Sequence, residues 1–171
     1  MIEIRTGVPG AGKTSTLISD VMAEQRRSRR PVYYCNIPDC SVPGWQEFPD
    51  PTCWKKLPRD AILVVDDAHF GFTVRQFNVL APKHVKELSD HGRYGLDIYL
   101  VALDIRMVDE LAVQLCDRHV YVERSWEGPG LLQTAVEADV ADLRRLECGR
   151  QVSRPVAKDA FGFYRDPCSL V

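Results

Sequence analysis

The run Gly7-Val8-Pro9-Gly10-Ala11-Gly12-Lys13-Thr14-Ser15 carries the spacing G-x4-G-K-[ST], and its residue types suit the capture of a phosphate chain. Glycines let successive backbone N–H groups turn inward around phosphate oxygens. When such a loop opens a helix, those groups stand at its positive end. Lys13 is placed to reach the β and γ phosphates, and the Thr14 hydroxyl to ligate magnesium. The expected ATP-binding set is Gly7, Val8, Pro9, Gly10, Ala11, Gly12, Lys13, Thr14 and Ser15. A site of this kind also needs a carboxylate at the end of a buried strand, to hold the magnesium through water. Ile62-Leu63-Val64-Val65-Asp66 supplies it, which makes Thr14 and Asp66 the metal-side pair. Asp67 follows in the place of a general base or water-positioning group. Glutamate is usual there; aspartate is one methylene shorter, and a misplacement of about 1 Å can cost on the order of a hundredfold in rate. These residues argue more strongly for binding than for turnover. The bland alternatives are a chance glycine turn and, for Asp67, an exposed strand-end cap.

The elements around these residues must place them at one edge. Ile2 to Thr6 alternates and suits a short strand; Lys13 to Arg27 spaces Leu17, Ile18, Val21 and Met22 as a helix does. The loop therefore stands between a strand and an amphipathic helix, which argues against a chance turn. Pro31 ends the helix and Val32 to Cys35 reads as the next strand. Residues 36–60 hold six prolines and glycines at positions 38, 43, 44, 49, 51 and 58, too many for regular helices or central strands. Trp45, Phe48 and Trp54 predict that this surface excursion is packed down. Ala61 to Val65 and Asp97 to Leu103 are continuous apolar runs, as in strands buried on both faces. Between them Pro82 opens a helix with Val85 and Leu88, broken by Gly92 and Gly95. Asp104 is placed as an N-cap, Met107, Val108, Leu111, Ala112 and Leu115 as one helical stripe, and His119 to Glu123 as a strand. Strands alternating with helices give an α/β fold, here a P-loop NTPase (RecA-like) with a central, mostly parallel sheet flanked by helices. The pattern weakens after Trp126, with a helix suggested near Val140 to Leu146 and an irregular aromatic tail at Phe161-Gly162-Phe163-Tyr164. One domain is expected over 1–171, with its core in 1–124 and an extension in 125–171.

Composition removes other classes. At 171 residues, 45% hydrophobic and 27% charged, the chain is globular, neither disordered nor coiled coil. Twenty-two basic against 24 acidic side chains leave a net charge of -2, so no global field steers it onto nucleic acid. Its apolar runs are far short of the roughly 20 residues that span a bilayer, and its first residues leave no room for a leader; a cytosolic chain is expected. Cys35, Cys40, Cys53, Cys116, Cys148 and Cys168 are irregularly spaced and read as reduced thiols. A zinc set of Cys35, Cys40, Cys53 and His69 lacks a second close pair. The four histidines show no catalytic spacing. Arg26-Arg27-Ser28-Arg29-Arg30 reads as a solvated cationic helix end.

The glycine loop, VVDDAH (Val64 to His69), HGRYGLDIYLVALDIRMVDE (His91 to Glu110), RHVYV (Arg118 to Val122) and the closing FGFYRD resemble the zonula occludens toxin family, which includes the gene I assembly proteins of filamentous phages. The resemblance implies the cytoplasmic P-loop ATPase domain of an inner-membrane motor, attached through a transmembrane segment absent from this chain. A periplasmic part would contact an outer-membrane channel. Such a motor uses ATP and Mg2+ to extrude single-stranded phage DNA as coat subunits replace its binding protein. Its partners would be further copies of itself, as a homo-oligomer or ring, the coat and single-stranded DNA complex, and other inner- and outer-membrane assembly proteins. Its place would be the cytoplasmic face of the host inner membrane. The chain departs from the family at three places: a γ-phosphate-sensing glutamine falls at Leu103, a helical arginine at Val113, and an Arg-His pair reads Gly92-Arg93. Arg93 and Arg106 remain as arginine fingers in trans, against the plain reading of solvated helix-end cations. The expected catalytic set is Lys13, Asp66, Asp67 and Arg93. A nucleotide kinase, which would need an arginine-rich lid, and a nucleotide-binding interaction module without turnover are the competing readings.

Overall fold

The computed structural model describes residues 1–76, 78–127, 130–138, 150–155 and 162–163. Six strands form a parallel sheet: β1 (Ile2–Thr6), β2 (Val32–Cys35), β3 (Trp45–Glu47), β4 (Ile62–Val65), β5 (Asp97–Val101) and β6 (Arg118–Glu127). β7 (Gly130–Ala138) and β8 (Arg150–Pro155) extend it as antiparallel strands, giving the order β3-β2-β4-β5-β1-β6-β7-β8. Helix α1 (Lys13–Ser28) lies on one face; short helices α2 (His69–Phe72), α3 (Lys83–Lys86) and α4 (Glu110–Gln114) complete the described helical part with 3-10 turns at Pro51–Lys56, Glu87–Tyr94 and Ile105–Met107. Among the described residues no helix is long and apolar enough to cross a membrane.

The period-two alternation of β4 explains its unbroken apolar run. Ile62 and Val64 meet Leu17, Ile18 and Val21 of α1, while Leu63 and Val65 face Trp54, Phe72 and Leu88 on the other side. All four strand residues are fully buried, so a polar residue at any of them would lose its water without gaining a partner.

β1 breaks this rule on the α1 face, where Glu3 and Arg5 are buried. Arg5 Nε and Nη2 donate to Glu3 Oε1 at 3.1 and 2.7 Å, Nη2 also reaches Asp20 Oδ2 on α1 at 2.9 Å, and Arg118 Nη2 on β6 pairs with Glu3 Oε2 at 3.0 Å. Burial works against the Arg5 charge, but the two carboxylates outweigh it and its pKa rises. Breaking a buried ion pair by removing one partner costs about 3–5 kcal/mol. Arg5→Ala is accordingly expected to lower unfolding free energy by about that much in urea titration, whereas Arg27→Ala, at an 81% exposed cation paired with Glu24, changes it little.

The proline-rich stretch is packed down as expected: Trp54 is fully buried and donates Nε1–H to the His84 carbonyl at 2.9 Å, and the stretch adds an edge strand, β3, which pairs with β2 through Val32↔Trp45. Other expectations are corrected. The stripe from Met107 to Leu115 is not one helix: Asp104 caps only the 3-10 turn, through Arg106 N, and Asp109 starts α4 by accepting from Leu111 N at 2.9 Å. The basic run divides. Arg30 leaves solvent to pair with Asp97 and to donate to the carbonyls of Asp60, Ala61 and Gly95 at 2.7, 3.2 and 2.6 Å, tying the end of α1 to the amino edge of the sheet. Beyond Trp126 the chain continues as β-structure through β7 and β8. The helix suggested near Val140 to Leu146 lies outside the described residues, as do Cys148 and Cys168. Cys35, Cys40, Cys53 and Cys116 are free thiols.

Candidate phosphate-binding site

Because β1 and β4 run parallel with only β5 between them, Gly7 and Asp66 leave the sheet at the same edge, roughly 10 Å apart at two strand spacings. The loop folds tightly against that edge. Gly7 N–H donates to the Leu103 carbonyl at 3.3 Å, and at φ +148 a Cβ on Gly7 would stand 2.1 Å from the Val122 carbonyl oxygen of β6. Only glycine fits. Ala11 N–H closes the turn onto the Val8 carbonyl at 3.1 Å. Gly12, left-handed at φ 86, stands at the N-cap of α1, where no side chain caps the helix, so the positive end of α1 faces the loop.

Lys13 Nζ arches back over the loop, donating to the carbonyls of Gly7 at 2.8 Å and Val8 at 3.1 Å. Thr14 Oγ1 donates to both Asp66 oxygens, at 3.2 and 3.1 Å. The two halves of the expected site, 52 residues apart in sequence, are thus joined through the pair expected to face the metal. Ser15 is fully buried and its hydroxyl donates to the Gly12 carbonyl at 2.9 Å, so only its backbone faces a ligand. Val8 is exposed and Ala11 buried.

The donor set fits magnesium: a hydroxyl and a carboxylate, both hard oxygen ligands, at one point beside a phosphate loop. Burial pushes the Asp66 pKa up to about 6; the Thr14 hydroxyl and Lys13 oppose the rise and the Asp67 charge adds to it. A divalent cation reverses that balance by favouring the carboxylate. Asn36, at the exit of β2, braces the segment by donating Nδ2–H to the Asp66 carbonyl at 3.1 Å. Its left-handed backbone, φ 57, is the kind asparagine tolerates. Among the described residues no group of three or more His, Cys, Asp or Glu gathers as a metal cluster.

Asp67 also has a left-handed backbone, φ 62, and its Oδ1 is hydrogen-bonded to His69 Nδ1. His119 is buried on β6 with Nε2 2.8 Å from the hydroxyl of Thr6, the residue before the loop. Burial pushes its pKa down, against the pull of Asp104. His69 closes the VVDDAH segment, whereas His119 has no spacing that sequence could have flagged. Of the two candidate fingers, Arg93 precedes β5 and Arg106 follows it, on the side of the sheet where the loop meets Leu103; both are engaged within the chain. Arg93 Nη1 meets Asp90 at 3.3 Å, and Arg106 Nε and Nη2 reach Asp104 at 2.9 and 2.7 Å. Leu103 is 49% exposed and offers no side-chain hydrogen bond.

The parallel sheet and the loop at its edge define a RecA-like P-loop NTPase fold, and solved structures agree. The genome packaging NTPase B204 of Sulfolobus turreted icosahedral virus 2 superposes with TM-score 0.65 at 12% identity over 91% of this chain and 97% of that one. The flagellar accessory protein FlaH from Methanocaldococcus jannaschii gives 0.57 at 10% over 81% and 77%. Within that class, the sequence model of zonular occludens toxin (Zot) matches residues 44–165. The chain belongs to the zonular occludens toxin family. The crystal structure of the N-terminal domain of zonular occludens toxin from Neisseria meningitidis is similar with TM-score 0.75 and 20% identity, covering 96% of this chain and 98% of that one. The family match begins downstream of the glycine loop, so the two observations are independent. No curated protein matches the sequence.

Proposed function

We propose that this chain binds ATP with Mg2+ and hydrolyses it as the motor domain of a filamentous phage assembly protein, driving export of single-stranded DNA as virions assemble. The observation that carries the reading is the Thr14–Asp66 hydrogen bond, which joins the phosphate loop to the acid at the end of β4. Gly7 to Ser15 would hold the triphosphate, Lys13 its β and γ groups, and Thr14 and Asp66 the metal. Bound magnesium would neutralise charge developing between the β and γ phosphates. Membership of the Zot family supports the phage role, and the viral packaging NTPase supports movement of nucleic acid. Exposed Val8, Phe70, Leu103 and Met107, which follow the carboxyl ends of β1, β4 and β5, favour contact with another copy in a homo-oligomer or ring. Coat–DNA complex, inner- and outer-membrane assembly proteins and the inner-membrane cytoplasmic face complete the reading, with 1–171 as one domain.

A second reading, an interaction module that binds ATP without turnover, is favoured by one observation: Arg93 and Arg106 are occupied by their own aspartates, and Leu103 replaces a polar sensor. Steady-state phosphate release over a protein concentration series separates the two. The motor reading expects turnover per subunit to rise with concentration as neighbours complete each site; tight Mg·ATP binding with no release at any concentration would give the module.

A further inference from the structure

The pairing of Asp67 with His69 bears on the reaction itself. A carboxylate at neutral pH only accepts hydrogen bonds, so Nδ1 of His69 carries the ring proton, and Nε2 of the neutral imidazole is left as an acceptor. The pair is fixed from three sides. Asp67 is held at φ 62; the next amide, Ala68 N–H, is anchored to the Val101 carbonyl of β5 at 2.7 Å; and the His69 ring lies against Phe70 with centroids 4.3 Å apart. The Asp67 charge is felt by Asp66, which places this pair beside the metal-side acid.

We infer that His69 accepts the proton of the attacking water and that Asp67 orients the ring and stabilises its charged form. The interposed ring makes up the reach that aspartate lacks in a position suited to glutamate. This rests on the ATPase reading above. In the step, the water oxygen forms a bond to the γ phosphorus and its proton passes to Nε2. The bond from the γ phosphorus to the bridging oxygen breaks, its electron pair staying on ADP. The imidazolium then releases its proton to solvent, leaving ADP, phosphate and the original ring.

The test compares kcat and ATP affinity of the full chain with those of His69→Ala, His69→Gln and Asp67→Glu. At 41% and 46% exposure neither side chain belongs to the core, and unchanged thermal unfolding verifies the fold. General base catalysis is worth about 10²–10⁴-fold. His69→Ala should therefore lose at least about a hundredfold in kcat with ATP affinity unchanged. His69→Gln can still donate to Asp67 but cannot take a proton, so it should be as slow. Asp67→Glu, which displaces the ring, should also be slower than the native chain. Near-native turnover in His69→Gln would reduce His69 to a brace, and faster turnover in Asp67→Glu would make the carboxylate the base; either overturns the inference alone. A native chain that binds ATP and never hydrolyses it overturns the ATPase reading and this inference together.

Discussion

Lys13→Ala is expected to abolish measurable ATP turnover, lowering it by about 10²–10³-fold, the range seen when one fixed donor to developing oxyanion charge is removed. The ammonium is held over the loop by the Gly7 and Val8 carbonyls, an anchorage that positions it before ligand arrives. Its removal takes away a full positive charge where a triphosphate would lie, and none of the apolar core. Stability should stay within about 0.5 kcal/mol, as for surface changes away from such features. Lys13→Arg is not expected to rescue, because a planar fork cannot replace a compact point charge inside a tight loop. Phosphate release and calorimetric ATP titration check both variants; native-like binding in Lys13→Ala would remove the loop from the site.

What sequence could and could not foresee follows the range of the interactions. α1 and β4 are specified by their own residues, through helical spacing on Leu17, Ile18 and Val21 and an apolar run bounded by Asp66. Both formed where the pattern placed them. The stripe after Met107 failed because its division is decided from afar: Arg75 Nε, 34 residues away, reaches Asp109 Oδ2 at 2.6 Å and holds that buried acid as the cap of α4. β7, in the stretch where the pattern weakens, was not foreseen for a similar reason. Its sequence spaces Leu131, Leu132, Ala135 and Val136 much as a helix would, and nine paired positions against β6 override that spacing. At the site, the glycine loop and Asp66 were legible because their chemistry needs fixed residue types. The Asp67–His69 bond and the Asn36 brace depend on left-handed backbones at Asp67 and Asn36, which no spacing rule announces.

The second large effect concerns Asp66, where stability and function are expected to oppose each other. Burial raises its pKa from an ordinary 3.8 to about 6, so the folded chain binds this proton more tightly than the unfolded one. The associated stability is fully present below the unfolded value and is lost as pH rises through about 6. At pH 7, without ligand, the fold therefore carries a disfavoured charge worth up to about 3 kcal/mol. Asp66→Asn removes that charge while its side-chain carbonyl can still accept from Thr14. The ligand-free variant should be more stable than the native chain at pH 7, with the difference shrinking between pH 6 and 4. With magnesium and ATP the order should reverse. A ligand at a thousandfold over its Kd stabilises by about 4.1 kcal/mol, more than the charge costs, and the amide, a weaker metal ligand without charge, should forfeit most of it. Urea titrations at pH 5 and 7, with and without Mg·ATP, read both halves. A destabilised ligand-free variant would mean that the carboxylate is held by more than the Thr14 bond, and an undiminished ligand gain would place the metal elsewhere.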